Sequence, residues 1–319
     1  MRLFVTAAAL LVSTAGFAQT SATTQPAPAE GTASGATSSV SAPAPTAPAP
    51  AEATVAAPTM TTTVKKSPFS FSLYNRTNIL KKDFQNRDNA PTTSNFLQAK
   101  YALTDTRSVG VRQEFGYRYP KAGKEGKATM YDAFVSYTDS KLGTFMGDGQ
   151  IISNNRLYLP NGEASRNRKQ MGALLSEIVA VKPVGKLEIV AGAVGVYFNQ
   201  TQNSYMKPTA GAADTLTANP DYEFDVYLEG DYNLTPKVVL AAYVGTDNVW
   251  NRSVDEFGGV TKSQEFVFEP YVAYKPISNL QIIGSLHNRV NIWDPTPGTP
   301  FRVLRDDETQ YRLAFLASL

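Results

Sequence analysis

The sequence predicts an all-β protein: a transmembrane antiparallel up-and-down β-barrel of about twelve strands, preceded by a disordered Ala/Pro/Thr-rich segment. Three observations predict it. Segments that alternate between apolar and polar residues run from residue 66 to the last residue. The connections between them alternate between short and long. No apolar run is as long as a membrane helix, since the longest, IVAGAVGVYF at 189–198, is about half the required length.

The N-terminus predicts export from the cytoplasm. Met1 and Arg2 form a short cationic start, residues 3–12 form an apolar run, and Gly16-Phe17-Ala18 is a small-x-small cleavage site. Residues 1–18 therefore read as a secretory signal peptide, too short to cross a bilayer. The chain has no cysteine, so the exported protein forms no disulfide and carries no lipid-modified cysteine.

Residues 19–65 predict a disordered linker. They are almost entirely Ala, Pro, Thr and Ser, as in SAPAPTAPAPAEA. Such a segment lacks the large apolar side chains whose burial offsets the entropy of folding, and its prolines favour extended conformations. The segment is interpreted as a spacer in the periplasm. Contact with the cell wall is the alternative, although no residue selects a target.

Residues 66–319 predict the barrel. Each alternating segment is long enough for a strand that crosses a bilayer at a tilt. The predicted strand cores, first to twelfth, are 68–79, 94–103, 107–119, 128–138, 142–152, 171–182, 186–198, 221–233, 237–249, 263–274, 278–292 and 309–319. The parity of a strand, meaning whether its odd or its even positions face the lumen, is not determined for 171–182 and 237–249, where both faces are apolar.

The order of the connections favours a membrane barrel over a secreted sandwich. Short links such as TDTR, TDSKLG and LTPK follow the even strands, and long ones such as SNNRLYLPNGEASRNRKQ follow the odd strands. Membrane barrels have short periplasmic turns and long outside loops. A sandwich connected by Greek keys has no reason to sort its loops in this way.

The last strand carries a resemblance to a known class. In TQYRLAFLASL, the residues Tyr311, Leu313, Phe315, Ala317 and Leu319 share one face. This resembles the terminal strand of bacterial outer-membrane β-barrel proteins, and the chain is similar to the porin-like, twelve-stranded size class. The resemblance implies a place in the outer membrane, contact with its lipid and lipopolysaccharide, and a linker in the periplasm.

The stretch YEFDVYLEGDY (222–232) shows where charge lies in such a barrel. Its apolar residues take the even positions and its four carboxylates take odd ones. In a membrane barrel the apolar face meets lipid and the acids face the lumen. The same parity predicts a set of lumen-facing cations: Arg76, Lys100, Arg112, Arg118, Arg289 and Arg312. It also predicts a set of lumen-facing acids: Asp132, Asp148, Glu223, Asp225, Glu229, Asp231 and Glu269. Glu177 lies in 171–182, where the parity is not determined.

The predicted function is passive diffusion of small hydrophilic solutes. If the twelfth strand pairs with the first, the cations lie on five consecutive strands and most of the acids lie opposite them. Opposed charges across a narrow bore orient polar solutes. In the alternative, the charged side chains pair across the lumen and plug it, and the protein is a non-conducting structural or adhesive barrel. A soluble secreted β-protein is a third alternative.

Other functions are not favoured. The net charge of +2 does not predict a nucleic-acid partner, and there is no phosphate-binding glycine loop. Ser285 and His287 share a face, but that face is the lumen, so neither is predicted to be catalytic. No set of residues predicts a zinc site or a calcium loop, so no metal or cofactor is expected. A homo-oligomer is plausible by analogy with larger porins. Basic residues in the long loops have three interpretations, namely contact with lipopolysaccharide phosphates, attraction of anionic solutes, and ordinary solvated charge: Lys81, Lys82, Lys121, Lys124, Lys127, Arg166, Arg168 and Lys169.

Overall fold

The computed structural model describes residues 67–81, 83, 91–120, 125–207, 215–252, 262–292 and 308–319. Within these residues the chain forms a closed antiparallel barrel of twelve strands, which confirms the predicted fold class. The barrel closes where the first strand pairs with the last, with Leu73 opposite Ala317. The signal peptide predicted for 1–18 and the linker predicted for 19–65 lie outside the described residues.

The strands follow one another around the barrel in chain order. They are β1 (Phe69–Leu80), β2 (Thr92–Ala102), β3 (Arg107–Arg118), β4 (Lys127–Met130), β5 (Ala133–Phe145), β6 (Gly149–Leu159), β7 (Gln170–Val184), β8 (Leu187–Gln200), β9 (Ser204–Lys207), β10 (Thr215–Ala218), β11 (Pro220–Thr235), β12 (Val238–Asn251), β13 (Lys262–Ile277), β14 (Leu280–Asn291) and β15 (Thr309–Ser318). Both β4 and β5 pair with β3, so they are two segments of one barrel strand. Strands β9 and β10 form a separate hairpin.

A short helix, α1 (Glu163–Asn167), lies in the connection before β7. No helix among the described residues is long and apolar enough to cross a membrane.

The connections alternate in length, as predicted. Short links join strands at one end of the barrel, here called the short-turn rim: 103–106, 146–148, 185–186, 236–237 and 278–279. Long links lie at the other end, the long-loop rim: 81–91, 119–126, 160–169, 201–219, 252–261 and 292–308. The first strand begins and the last strand ends at the short-turn rim. A chain that starts and ends at the same rim must have an even number of strands.

The predicted fifth strand, 142–152, is wrong. The structure places a turn at 146–148, between β5 and β6, within that segment. Met146 has φ 45° and Gly147 has φ 84°, and two successive residues with positive φ make a tight hairpin turn. The alternation of apolar and polar residues continues through this turn without a break. The sequence pattern therefore predicts a single strand where the structure has a turn between two strands.

The two faces of each strand differ in burial. On β11, Leu228 is 50% exposed whereas its neighbour Glu229 is 1% exposed. The same alternation of exposed apolar and buried side chains runs through β1 and β15. The apolar face therefore forms the outside of the barrel, as in membrane barrels whose outer apolar band contacts lipid.

Aromatic pairs mark both ends of this apolar outer face. Tyr222 stacks on Trp250 near the long-loop rim, with ring centroids 4.7 Å apart. Phe69 and Tyr101 meet edge to face near the short-turn rim, at 4.9 Å. Rings at both ends of an apolar band are typical of the two membrane–water interfaces.

Candidate functional site

The candidate site is the charged interior of the barrel. Lumen-facing cations lie on one arc of neighbouring strands: Arg289 on β14, Arg312 on β15, Arg76 on β1, Lys100 on β2 and Arg112 on β3. Four of these residues are buried, and the Arg289 side chain is 15% exposed. Arg156 on β6, which the sequence analysis did not include, is also buried on the lumen side.

Lumen-facing acids lie on the remaining arc. β11 carries Glu223, Asp225, Glu229 and Asp231, and β13 carries Glu269. Four further acids join them: Glu177 on β7, Glu188 on β8, Asp247 on β12 and Glu265 on β13. Glu114 on β3 and Lys275 on β13 are exceptions. Glu114 lies among the cations and pairs with Arg112 at 2.9 Å, and Lys275 lies among the acids, where it interacts with Asp231 and Glu188.

Three predicted lumen residues lie elsewhere. Arg118 is exposed at the long-loop end of β3. Asp132 lies between β4 and β5, where its carboxylate accepts hydrogen bonds from Gly162 N–H at 2.7 Å and from the Ser165 hydroxyl. Burial raises the pKa of Asp132, and these two bonds oppose the rise. Each of these residues has the expected parity, but Arg118 is the last residue of β3 and Asp132 lies where the strand is interrupted between β4 and β5.

Asp148 also lies outside the lumen. It is in the turn at 146–148, its side chain is 65% exposed, and it pairs with Lys182. The hydrogen bond from Lys182 lowers the pKa of Asp148. The prediction failed because it counted parity through a turn.

Glu269 is the centre of a polar cluster in the barrel interior. Its Oε1 accepts from the Ser285 hydroxyl at 2.5 Å, and its Oε2 accepts from Arg312 Nη1 at 2.8 Å. His287 Nδ1 lies 2.7 Å from the same Oε2. Ser285 and His287 therefore both bond to the carboxylate and not to each other. A serine nucleophile needs the imidazole as its base, so this geometry does not make a catalytic pair.

Aromatic rings support charges on both arcs. The guanidinium of Arg112 lies 3.4 Å from the centroid of Phe96, which itself stacks on Tyr74. On the acidic arc the Tyr227 hydroxyl donates to Glu177 Oε1 at 2.9 Å. The Tyr271 hydroxyl lies 2.7 Å from Asp231 Oδ1 and also contacts Glu229. Cation–π contacts and tyrosine donors help to hold these charges at the wall.

The interior is closely filled. Besides the charged groups, an apolar cluster lines β5 to β8 and includes Phe134, Leu175, Val190 and Phe198. Most lumen-facing side chains are buried in this conformation. Side chains therefore occupy part of the space that the backbone of a twelve-stranded barrel encloses, as they do in small barrels whose interior is filled by side chains.

No family model matches the sequence, and no curated protein matches it. Solved structures do match. An outer membrane channel from Pseudomonas putida F1 superposes with a TM-score of 0.53 at 12% identity, covering 80% of this chain and 96% of that one. The protein has the fold of an outer-membrane β-barrel.

Two further solved structures match with TM-scores below 0.5. The NanC porin matches with a TM-score of 0.45 at 8% identity, over 78% of this chain and 100% of that one. An outer membrane phospholipase of Salmonella typhi matches with a TM-score of 0.35 at 13% identity, over 78% and 89%. These two superpositions carry no argument about the fold or the function of this protein.

Within this outer-membrane β-barrel, the sequence analysis missed several lumen charges. Arg156 falls in what was read as a long connection, because the fifth strand was placed too early. Asp247 lies on a strand whose parity could not be assigned. Glu265 has the same parity as Glu269 on the same strand, so the alternation along that strand also predicts that Glu265 faces the lumen.

The basic loop residues have mixed surroundings. Lys127 pairs with Glu163 at 2.8 Å on the surface, and Arg168 is buried beside the ring of Tyr205. Lys82, Lys121 and Lys124 lie outside the described residues. The predicted lipopolysaccharide contacts stay a prediction.

Proposed function

We propose that this protein is an outer-membrane channel for passive diffusion of small hydrophilic solutes. The single observation that carries the proposal is the segregation of charge inside the barrel. Cations lie on β14, β15, β1, β2, β3 and β6, and acids lie on β7, β8, β11, β12 and β13. The setting proposed is the outer membrane, with the short-turn rim and the linker in the periplasm. No catalytic residue and no cofactor is part of the proposal.

A structural plug has a different charge pattern. If the charges served only to fill the lumen, acids and cations would alternate along every strand, as Arg112 and Glu114 do on β3. Direct pairs between the two arcs lie where the arcs adjoin, as in Arg312 with Glu269 and Arg289 with Asp247. Segregated walls instead produce a field across the bore, and low-dielectric walls concentrate it. Such a field favours solutes with dipoles or charges over apolar ones.

Unpaired polar atoms support a hydrated lumen. Gln98 Oε1, Gln281 Nε2 and Glu188 Oε1 are buried and have no hydrogen-bond partner among the described residues. Buried polar groups in proteins are normally satisfied by protein or by water. Water inside the barrel is the partner that these lumen-facing atoms require.

Side-chain movement is part of the proposed route. The lumen is filled in this conformation, and long cationic side chains such as Arg112 and Arg312 occupy much of it. Passage of a solute therefore requires some of these side chains to change rotamer. The proposed channel therefore admits only small solutes and has a low conductance.

Planar-bilayer recording tests the proposal. Wild-type protein is expected to give small unit conductance steps, and Arg112→Ala is expected to enlarge them because it removes a long side chain from the lumen. Arg107→Ala is the matched control, since Arg107 lies on the same strand, is 56% exposed in its side chain and pairs with Asp139 at the rim. Absence of steps from correctly folded wild-type protein would reject the channel.

The second candidate is a non-conducting structural or adhesive barrel, which the burial of the lumen side chains favours. In this case residues 19–65 would contact the cell wall. Two results together would support this candidate. The chain would sediment with purified peptidoglycan and lose this property when 19–65 are deleted, and liposomes containing the protein would stay impermeable to small solutes. A homo-oligomer is compatible with either candidate, and cross-linking in native membranes measures it.

A further inference from the structure

Four carboxylates lie close together near the long-loop rim of the barrel, with Arg289 beside them. Glu223 and Asp225 come from β11, Asp247 from β12 and Glu265 from β13. Arg289 on β14 contacts Asp247 and Glu265. The cluster therefore has a large excess of negative charge in a mostly buried place, which is costly unless a counter-charge is present.

The acids are arranged closely enough to share one ion. Glu223, Asp225 and Asp247 each offer an oxygen, and these oxygens all lie within 4.8 Å of one another. Ca²⁺ binds oxygens at about 2.3–2.6 Å, so oxygens on opposite sides of one ion are up to about 5 Å apart. Three carboxylates at one site suit Ca²⁺ better than Mg²⁺, which keeps several waters and is usually bound through one or two carboxylates.

Glu223 gives an independent indication of a ligand. Its side chain is buried, with 2% of the residue exposed, and neither carboxylate oxygen has a hydrogen-bond donor among the described residues. Asp225, by contrast, is oriented by the backbone, because its Oδ1 accepts from Asn248 N–H at 2.9 Å. A buried carboxylate without a donor, beside a second carboxylate fixed in position, requires a cation or a proton.

We propose that Glu223, Asp225 and Asp247 bind a divalent cation, Ca²⁺, at the long-loop rim of the lumen. The sequence analysis expected no metal site because these residues do not form a calcium loop. The site instead uses the pairing of β11 with β12, in which Glu223 lies opposite Val249 and Val226 opposite Thr246, so that Asp247 comes beside the two acids of β11. The ion would join these strands just inside the rim. The proposal does not depend on whether the barrel conducts.

Terbium luminescence tests the proposal on the full chain folded in detergent micelles. Trp250 and Tyr222 stack on each other next to Glu223 in the ladder, so they can transfer excitation to Tb³⁺ bound at the site. Wild type is expected to give sensitised emission that Ca²⁺ displaces. Glu223→Gln is expected to weaken Tb³⁺ binding at least tenfold, and Asp225→Asn to do the same.

Asp221→Asn is the matched control. Asp221 is an acid on the same strand, is 41% exposed in its side chain and pairs with Arg252. Its emission is expected to equal that of wild type. Circular dichroism shows whether each variant has folded, and two variants are used so that one folding failure leaves the other informative. The proposal is overturned if folded wild type gives no sensitised emission, since the acids are then neutralised by protons. Emission that survives in the folded acid variants overturns it as well.

Discussion

Gly192 and Tyr227 show how a single residue shapes the barrel interior. They lie opposite each other in the β8–β11 ladder, and the Tyr227 ring lies over the glycine. A Cβ at position 192 would lie 2.2 Å from Tyr227 Cζ. The absence of a side chain there lets the Tyr227 hydroxyl reach Glu177, a bond on the acidic arc.

Gly192→Ala is expected to destabilise the folded barrel by about 1–3 kcal/mol, the usual cost of overpacking, because the ring must move and its bond to Glu177 is weakened. The midpoint of urea unfolding in lipid vesicles measures this. Gly195→Ala, on the same strand with no atom within 4 Å of its added Cβ, is expected to be neutral or slightly stabilising. Equal midpoints for the two variants would contradict the packing argument.

The turn at 146–148 is the clearest element-scale feature. Its backbone, with positive φ at two residues, decides where β5 ends and β6 begins. Gly147 tolerates its φ of 84° because it has no Cβ. Lys182 on β7 stabilises the same turn from outside, since its ammonium donates to Met146 O at 2.6 Å and to Asp148.

Gly147→Val is expected to cost about 1–2 kcal/mol, from the left-handed backbone alone. An added Cβ there meets no atom within 4 Å, so no clash contributes. Gly284→Val is the matched control, because its Cβ site is equally open but its φ is not positive. Thermal unfolding of both variants tests the expectation, and a loss of stability at Gly284 comparable to that at Gly147 would contradict it.

The ion pair of Asp148 with Lys182 predicts a pH dependence. Because the pKa of Asp148 is lower in the folded protein than in the unfolded chain, the pair stabilises the barrel above the ordinary carboxyl pKa of about 3.9. This stabilisation is lost as the pH falls through the folded value. Asp148→Asn is therefore expected to be slightly less stable than wild type at neutral pH and equal to it in strong acid. Unfolding midpoints across this range measure the difference, and a constant difference would argue against the ion pair.

At the scale of the whole molecule, the interior has more carboxylates than cations. The described lumen acids include Glu177, Glu188, Asp247 and Glu265 besides those on β11, whereas Arg156 is the main addition to the cations. An excess of one sign lining a narrow bore raises the local concentration of the opposite ions. The proposed channel should therefore prefer cations.

The reversal potential across a KCl gradient is expected to show preference for K⁺ over Cl⁻. Glu229→Gln should reduce this preference because Glu229 is a lumen acid that is almost fully buried. Glu163→Gln, an exposed change in the long-loop region, should leave it unchanged. A wild-type preference for Cl⁻ would show that the cationic arc, with Arg112 and Arg312, dominates the field.

Much of the barrel follows from local pattern. Alternation in YEFDVYLEGDY needs only neighbouring residues, so it determined which side chains of β11 face inward, and the burial of Glu223 and Glu229 agrees. Loop lengths likewise predicted the number of strands. The turn at 146–148 was not predicted, because the positive φ of Met146 leaves the alternation of apolar and polar residues unchanged. Alternation assigns no direction to Asp247, since both faces of its strand are apolar.

The sequence by itself determined the fold class, the number of strands, the apolar outer face and the arc on which each main group of charges lies. Only the tertiary structure decided which charges meet. Arg312 reaches Glu269 from two strands away, and Asp247 joins Glu223 at the rim. The physical reason is that side-chain direction depends on the local backbone, whereas contacts inside a closed barrel depend on the register of every strand around it.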